Sequence, residues 1–232
     1  MVNHDHLDID RIAFIGRTYF EYLRMFGLDE TVFQKGRVLD CAAGPSSFTA
    51  EACRAGFRVI ACDLLYGMPS EQLIAKGGND IEHVFGKLDE VAHLYTWEYY
   101  KDKHEVISLR HKSLETFSED FPAGRKTGRY VQAKLPLLPF ADKSFSLVLC
   151  SHFLFLYNDR LGLDFHLSCL RELARVSSEE VRIFPLQGLD AKPYPHMEKV
   201  LSFLRAENIE AEILDVPFEF QKGSNKVMIL KI

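Results

Sequence analysis

The amino-acid sequence predicts an α/β fold, a mostly parallel sheet with helices on both faces and an antiparallel last strand. Three observations lead there. Short runs suited to buried strands alternate with segments of helical period. A small-residue turn joins the first such strand to the helix after it. The last two strand-like runs are separated by too few residues for a parallel crossover, so they form a hairpin.

Taken in order, residues 12–25 place Ile12, Ile15, Tyr19, Tyr22 and Leu23 at spacings that cover one face of a helix. That helix is expected to lie in an N-terminal helical cap over 10–35. After Gly36, residues 37–41 suit a buried strand, and the turn that follows opens a helix over 48–55. Ser46 or Ser47 is available as its cap and Gly56 as its stop. Residues 57–62 form the next strand, ending at Asp63, and the crossover length implies parallel pairing. Further along, 147–150 suits a strand, 165–176 a helix, 181–184 a strand and 197–206 a helix. The closing hairpin comprises 212–220 and 227–232, with Pro217 marking an edge or bulge. Residues 67–129 are far too long for a single crossover helix and are expected to be an insertion carrying the one tryptophan, Trp97, with Tyr99 and Tyr100 beside it. One domain over 1–232 is expected.

Composition narrows the classes. Hydrophobic residues make up 47% and charged residues 26% of the 232, the ordinary globular range. A net charge of -5 argues against a protein whose main work is gripping nucleic acid phosphates. No apolar stretch approaches the length of a membrane span, and the opening residues lack the basic-then-apolar pattern of a signal peptide, so a cytoplasmic location and no membrane partner are expected. The 5 cysteines are scattered without a C-x-x-C pair, which suits reduced core thiols. Cys41, Cys62 and Cys150 stand at the ends of three expected strands, where small apolar packing is favoured over a metal site. His4 and His6 suit a solvated tail. Basic residues of the insertion, Arg110 and Arg129 among them, are interleaved with acids and are expected on a solvated surface.

The stretch Val38-Leu39-Asp40-Cys41-Ala42-Ala43-Gly44-Pro45-Ser46-Ser47-Phe48 carries the chemistry. Small residues after a strand let the backbone come close to a ligand, and the following helix presents unpaired N–H groups. Asp63 ends the next strand about twenty residues after the turn, where a carboxylate can accept hydrogen bonds from both ribose hydroxyls of an adenosine moiety.

With 59–63 and the segment Leu138-Pro139-Phe140-Ala141-Asp142-Lys143-Ser144-Phe145, these motifs resemble the class I S-adenosylmethionine (SAM)-dependent methyltransferases, particularly their small-molecule branch. Residues 151–157 and 218–221 also resemble an uncharacterised bacterial subgroup of that family. The resemblance implies a Rossmann-like seven-stranded sheet, SAM as cofactor and a small-molecule acceptor, with nucleic acid not expected. Asp40, Ala42 and Gly44 match the family's glycine-rich loop, and alanine at 42 is tolerable if the backbone there keeps negative φ. Asp63 matches the ribose-binding acid, with Leu64 beside adenine. Lys134 and Leu135 stand where the family reads the adenine amino group; lysine cannot accept a hydrogen bond, so backbone near Leu135 would do so. Ser151 and His152 match the wall beneath the methionine and the methyl group. His152 is the leading candidate for a base with a pKa in the working range, ahead of Tyr157 and His166. Arg17 and Tyr22 share the expected first helix, from which Arg17 could pair with the carboxylate of SAM. Trp97, Tyr99 and Tyr100 could form an acceptor lid. Two other classes compete: a SAM- or nucleotide-binding module without catalysis, and a nicotinamide-dependent oxidoreductase, whose G-x-G-x-x-G spacing is missing.

Overall fold

Strand β1 (Val38–Cys41) is buried at every position, the mark of a strand covered on both faces, and it sits inside the sheet. In the computed structural model, which describes residues 5–232, seven strands form one sheet in the order β3-β2-β1-β4-β5-β7-β6. These are β2 (Val59–Asp63), β3 (Tyr130–Gln132), β4 (Phe145–Ser151), β5 (Ser177–Phe184), β6 (Glu210–Asp215) and β7 (Lys226–Lys231). β1 pairs in parallel with β2 and β4, β2 with β3 and β4 with β5, whereas β7 runs antiparallel to both β5 and β6. This is the Rossmann-like arrangement expected, with the reversed last strand inserted between β5 and β6. The chain steps outward in both directions from β1, so a crevice opens at the carboxyl ends of β1, β2 and β4.

The helices are α1 (Tyr19–Met25), α2 (Phe48–Arg54), α3 (Ser70–Gly86), α4 (Lys103–Lys126), α5 (Leu163–Val176) and α6 (Met197–Ala206). Packing against the sheet leaves two buried apolar clusters, one centred on Phe48, Phe117 and Phe184, the other on Val148, Leu170 and Leu230. The expected insertion consists of α3 and α4, joined by a 3-10 turn at Leu88–Leu94. No helix among the described residues is long and apolar enough to cross a membrane.

Two boundaries differ most from expectation. The first helix is α1 alone, because a capping box starts it at Thr18: the Glu21 carboxylate accepts from the Thr18 N–H at 2.8 Å while the Thr18 hydroxyl accepts from the Glu21 N–H. Residues 12–17 form no helix and run as a strap to the α1 cap. Gly16 permits this, since a Cβ there would lie 2.0 Å from the Pro45 carbonyl oxygen, and the Phe14 N–H donates to the buried Asp80 carboxylate at 2.7 Å. The strand expected over 212–220 ends as β6 at Asp215. The Val216 N–H makes a last hairpin bond to Asn225 at 2.8 Å; beyond Pro217 the chain turns so that Phe218 and Phe220 pack on Tyr99 and Tyr100.

Candidate functional site

The loop between β1 and α2 is bent by two left-handed residues, Ala42 at φ 56° and Gly44 at φ 56°. The negative φ expected at Ala42 is therefore not found. Holding an alanine there costs about 1–2 kcal/mol. Asp63 helps hold it: one carboxylate oxygen accepts from the Gly44 N–H at 3.0 Å and the other from the Leu65 N–H at 2.8 Å. The Tyr66 hydroxyl secures the far side by donating to the Gly44 carbonyl at 2.6 Å. Burial raises the Asp63 pKa above its usual value, while the two backbone donors pull the other way. The Ser46 hydroxyl accepts from the Phe48 N–H at 3.1 Å at the start of α2, and Ser47 instead donates to Glu51 at 2.8 Å.

This loop forms one wall of a cavity of about 360 Å3 over the carboxyl ends of β1, β2 and β4. Small-molecule sites begin at roughly this size. Leu64, Lys134 and Leu135 line one end, Asp63, Ala42 and Gly44 the middle, and Ser151 and His152 the other end. Leu64 is half exposed and Leu135 buried. The strap adds Phe14 and Ile15 to the wall. Lys76 of α3 also reaches the cavity, anchored to Asp80 at 2.8 Å. The sequence signal for it is the i,i+4 spacing of lysine and aspartate on one helical face.

His152 differs from expectation. It is held at φ 48°, its Nδ1 lies 2.9 Å from the Ser151 hydroxyl, and its N–H donates to the Phe184 carbonyl at 2.7 Å. Burial first, then the Arg17 and Arg110 cations, holds its pKa well below the ordinary histidine value. The imidazole is neutral at working pH, with Nε2 left for outside partners.

Arg17 lies in the strap, one residue before the α1 cap, so it does not share a helix with Tyr22. It lines the cavity next to Ser151 and His152. Its guanidinium donates to the Gly16 carbonyl at 3.2 Å, and among the described residues it has no ion pair. Burial and the neighbouring Arg110 lower its pKa to about 10. Arg110 is not on the solvated surface expected of it. It is 1% exposed and bonded to the Glu21 carboxylate, the Tyr100 hydroxyl and, at 2.7 Å, the Gly16 carbonyl. For Glu21 burial acts against the charge, but Arg110 and Arg17 outweigh it and hold the carboxyl below its usual range.

Tyr22 reaches the cavity floor, and its hydroxyl donates to the Asp40 carboxylate, both oxygens lying at 3.1 Å. Asp40 is fully buried behind it and does not line the cavity, so its side chain supports the loop from below. Burial pushes its pKa up to about 8, Tyr22 opposing and Asp63 adding to the rise.

A second, smaller chamber of about 100 Å3 shares Ala13, Ile15, Arg17 and His152 with the main cavity. Its remaining wall comes from Leu7 and Ile9, from the insertion, from residues 156–157, from Pro185 and Leu189, and from residues 218–224, a combination invisible in the linear sequence. Tyr157 belongs here, its hydroxyl accepting from the Ala13 N–H at 3.0 Å. His166 does not: both ring nitrogens face backbone carbonyls, Gly162 at 2.8 Å and Leu154 at 2.9 Å. The expected aromatic lid is not one. Tyr99 packs on Phe218 with ring centroids 4.6 Å apart and Trp97 on Phe220 at 5.4 Å, and neither they nor Tyr100 line either cavity. Cys41 stands in register between Cys62 and Cys150, all buried and free. No group of metal-binding side chains occurs among the described residues. His6 is exposed, and His4 lies outside the described residues.

No known family model matches the chain. Among solved structures, it is similar to an S-adenosylmethionine-dependent methyltransferase from Clostridium acetobutylicum at 12% identity, covering 92% of this chain and 98% of that one with a TM-score of 0.46. It is also similar to a SAM-dependent methyltransferase from Aquifex aeolicus at 15% identity, covering 92% and 87% with a TM-score of 0.41. In sequence it is 33% identical over 227 residues, 97% of this chain and 99% of the other, to uncharacterized protein MJ0045 of Methanocaldococcus jannaschii. The chain belongs to the family of that archaeal protein.

Proposed function

We propose that the chain binds SAM and transfers its methyl group to a small-molecule acceptor. The observation that carries this reading is the continuous cavity from Leu64 past Asp63 and the bent loop to His152. Its residues fit the group. Each Asp63 oxygen takes one backbone N–H and keeps acceptor capacity for a ribose hydroxyl. Leu64 and Leu135 offer apolar walls for adenine, with Lys134 beside them. The left-handed backbone at Ala42 and Gly44 brings the main chain to the ligand, and Arg17, without an ion pair among the described residues, suits the methionine carboxylate. Tyr22 and Ser151 close the wall beneath, with Asp40 bracing Tyr22.

When bound, SAM supplies a methyl group already activated on a cationic sulfur. The chain's work is to orient the acceptor and exclude water. His152, neutral and with Nε2 free, accepts a proton from a hydroxyl or amine acceptor; as a weak base it contributes position more than proton affinity. That weakness favours a second reading, a SAM-binding module without catalysis.

Incubation with methyl-labelled SAM and a panel of small acceptors tests the proposal. Label transferred to one acceptor, and lost on Asp63→Ala, is the expected result. Uptake of SAM with no transfer to any acceptor supports the module instead.

A further inference from the structure

The second chamber has a chemistry of its own. Leu88, Val106, Leu156 and Phe218 give it apolar walls, yet two buried nitrogens among its residues, Nε2 of Gln221 and Nε of Arg110, have no hydrogen-bond partner. Buried donors of this kind are almost always paired. Gln221 is 93% buried, being 7% exposed, and its amide orientation is fixed because its oxygen accepts from Gln187 Nε2 at 2.9 Å. Arg110 is spent on the other side, through Glu21, Tyr100 and Gly16. The Tyr157 hydroxyl already accepts from Ala13, so its own proton is available to donate. Gln221, Arg110 and Tyr157 each offer a donor here, and among the described residues no aspartate or glutamate lines the chamber.

We propose that this chamber binds a compact monocarboxylate, its carboxylate taken by Gln221, Arg110 and Tyr157 and its apolar body by the surrounding side chains. A cavity of about 100 Å3, smaller than the roughly 150 Å3 that holds benzene, admits a short branched chain and not a ring. The chamber meets the main cavity at Arg17 and His152. Its role as the acceptor side therefore rests on the reading of the main cavity as the SAM site. The carboxylate is an anchor here; no bond is made to it.

Trp97 provides a built-in probe, since it packs on Phe220 and Phe220 lines the chamber. Propionate, isobutyrate, isobutyramide and isobutylamine are titrated into the full chain by calorimetry and by Trp97 emission, and S-adenosylhomocysteine (SAH) is titrated separately. The carboxylates are expected to bind about 10-fold more tightly than isobutyramide, the worth of one charge-assisted hydrogen bond, and isobutylamine more weakly still. Gln221→Glu keeps the oxygen that accepts from Gln187 and replaces the donor with a negative charge, so it abolishes isobutyrate binding while circular dichroism shows a folded chain. Should that variant not fold, Tyr157→Phe removes one donor without changing the ring, and isobutyrate weakens several-fold. SAH binding without carboxylate binding, or isobutyramide or isobutylamine binding as tightly as isobutyrate, overturns the chamber assignment. Isobutyrate binding without SAH binding leaves the chamber assignment standing and removes the SAM reading.

Discussion

Asp63 and Gly44 are joined in the wall of the main cavity, the carboxylate of one accepting the backbone N–H of the other at 3.0 Å. One acid thus shapes the loop and faces the space where a ligand would lie. Asp63→Ala is expected to weaken SAH binding at least about 10-fold and to cost about 1–3 kcal/mol of stability, since two partly buried N–H groups lose their acceptor. Calorimetry and urea unfolding on the same variant measure both; a loss of neither separates Asp63 from the site.

Ala42 pays for its left-handed backbone at φ 56°. Ala42→Gly removes the clash of the Cβ at a smaller entropic cost, for a net gain of about 0.5–1 kcal/mol. The urea midpoint should rise with an unchanged slope. A lower midpoint would mean that the methyl group packs usefully.

Asp40 carries a pH prediction. Its folded pKa, about 8, lies above the usual carboxyl value, so the folded state holds a proton that the unfolded chain gives up. The stability this contributes is present below the unfolded pKa and is lost as pH rises through about 8. Asp40→Asn keeps an acceptor for Tyr22 and cannot ionise. It should melt above the native chain at pH 9, with the difference shrinking toward pH 4. Parallel melting curves at all pH values would refute this.

Arg110 and Glu21 form a buried pair, each side chain 1% exposed, so removing one leaves the other charge stranded. Arg110→Met is expected to cost about 3–5 kcal/mol. The depressed Glu21 pKa sets the sign with pH: the pair's stabilisation is present above the usual carboxyl range and is lost as pH falls through the folded value. Unfolding measured at pH 7 and pH 3 should show the native chain's advantage over Arg110→Met narrowing in acid.

Much of the sheet was legible in the sequence because its strands are local patterns. The buried run at β1, the small-residue turn and Asp63 at the end of β2 could all be placed by spacing. What stayed hidden depends on partners far along the chain. Residues 12–17 have helical spacing, yet Gly16 seats against Pro45 and Phe14 bonds to Asp80, and those tertiary contacts win. Arg110 resembled a surface charge because its partner Glu21 is 89 positions away. The donors of the second chamber come from three separate segments, and no local pattern announces their meeting.

The most direct test of the account is equilibrium binding of SAH, SAM and NAD to the purified chain by calorimetry. SAH and SAM are expected to bind at one site per chain, NAD not at all, and Asp63→Ala to abolish the heat. A folded chain that takes up neither SAH nor SAM, or that takes up NAD in their place, contradicts it.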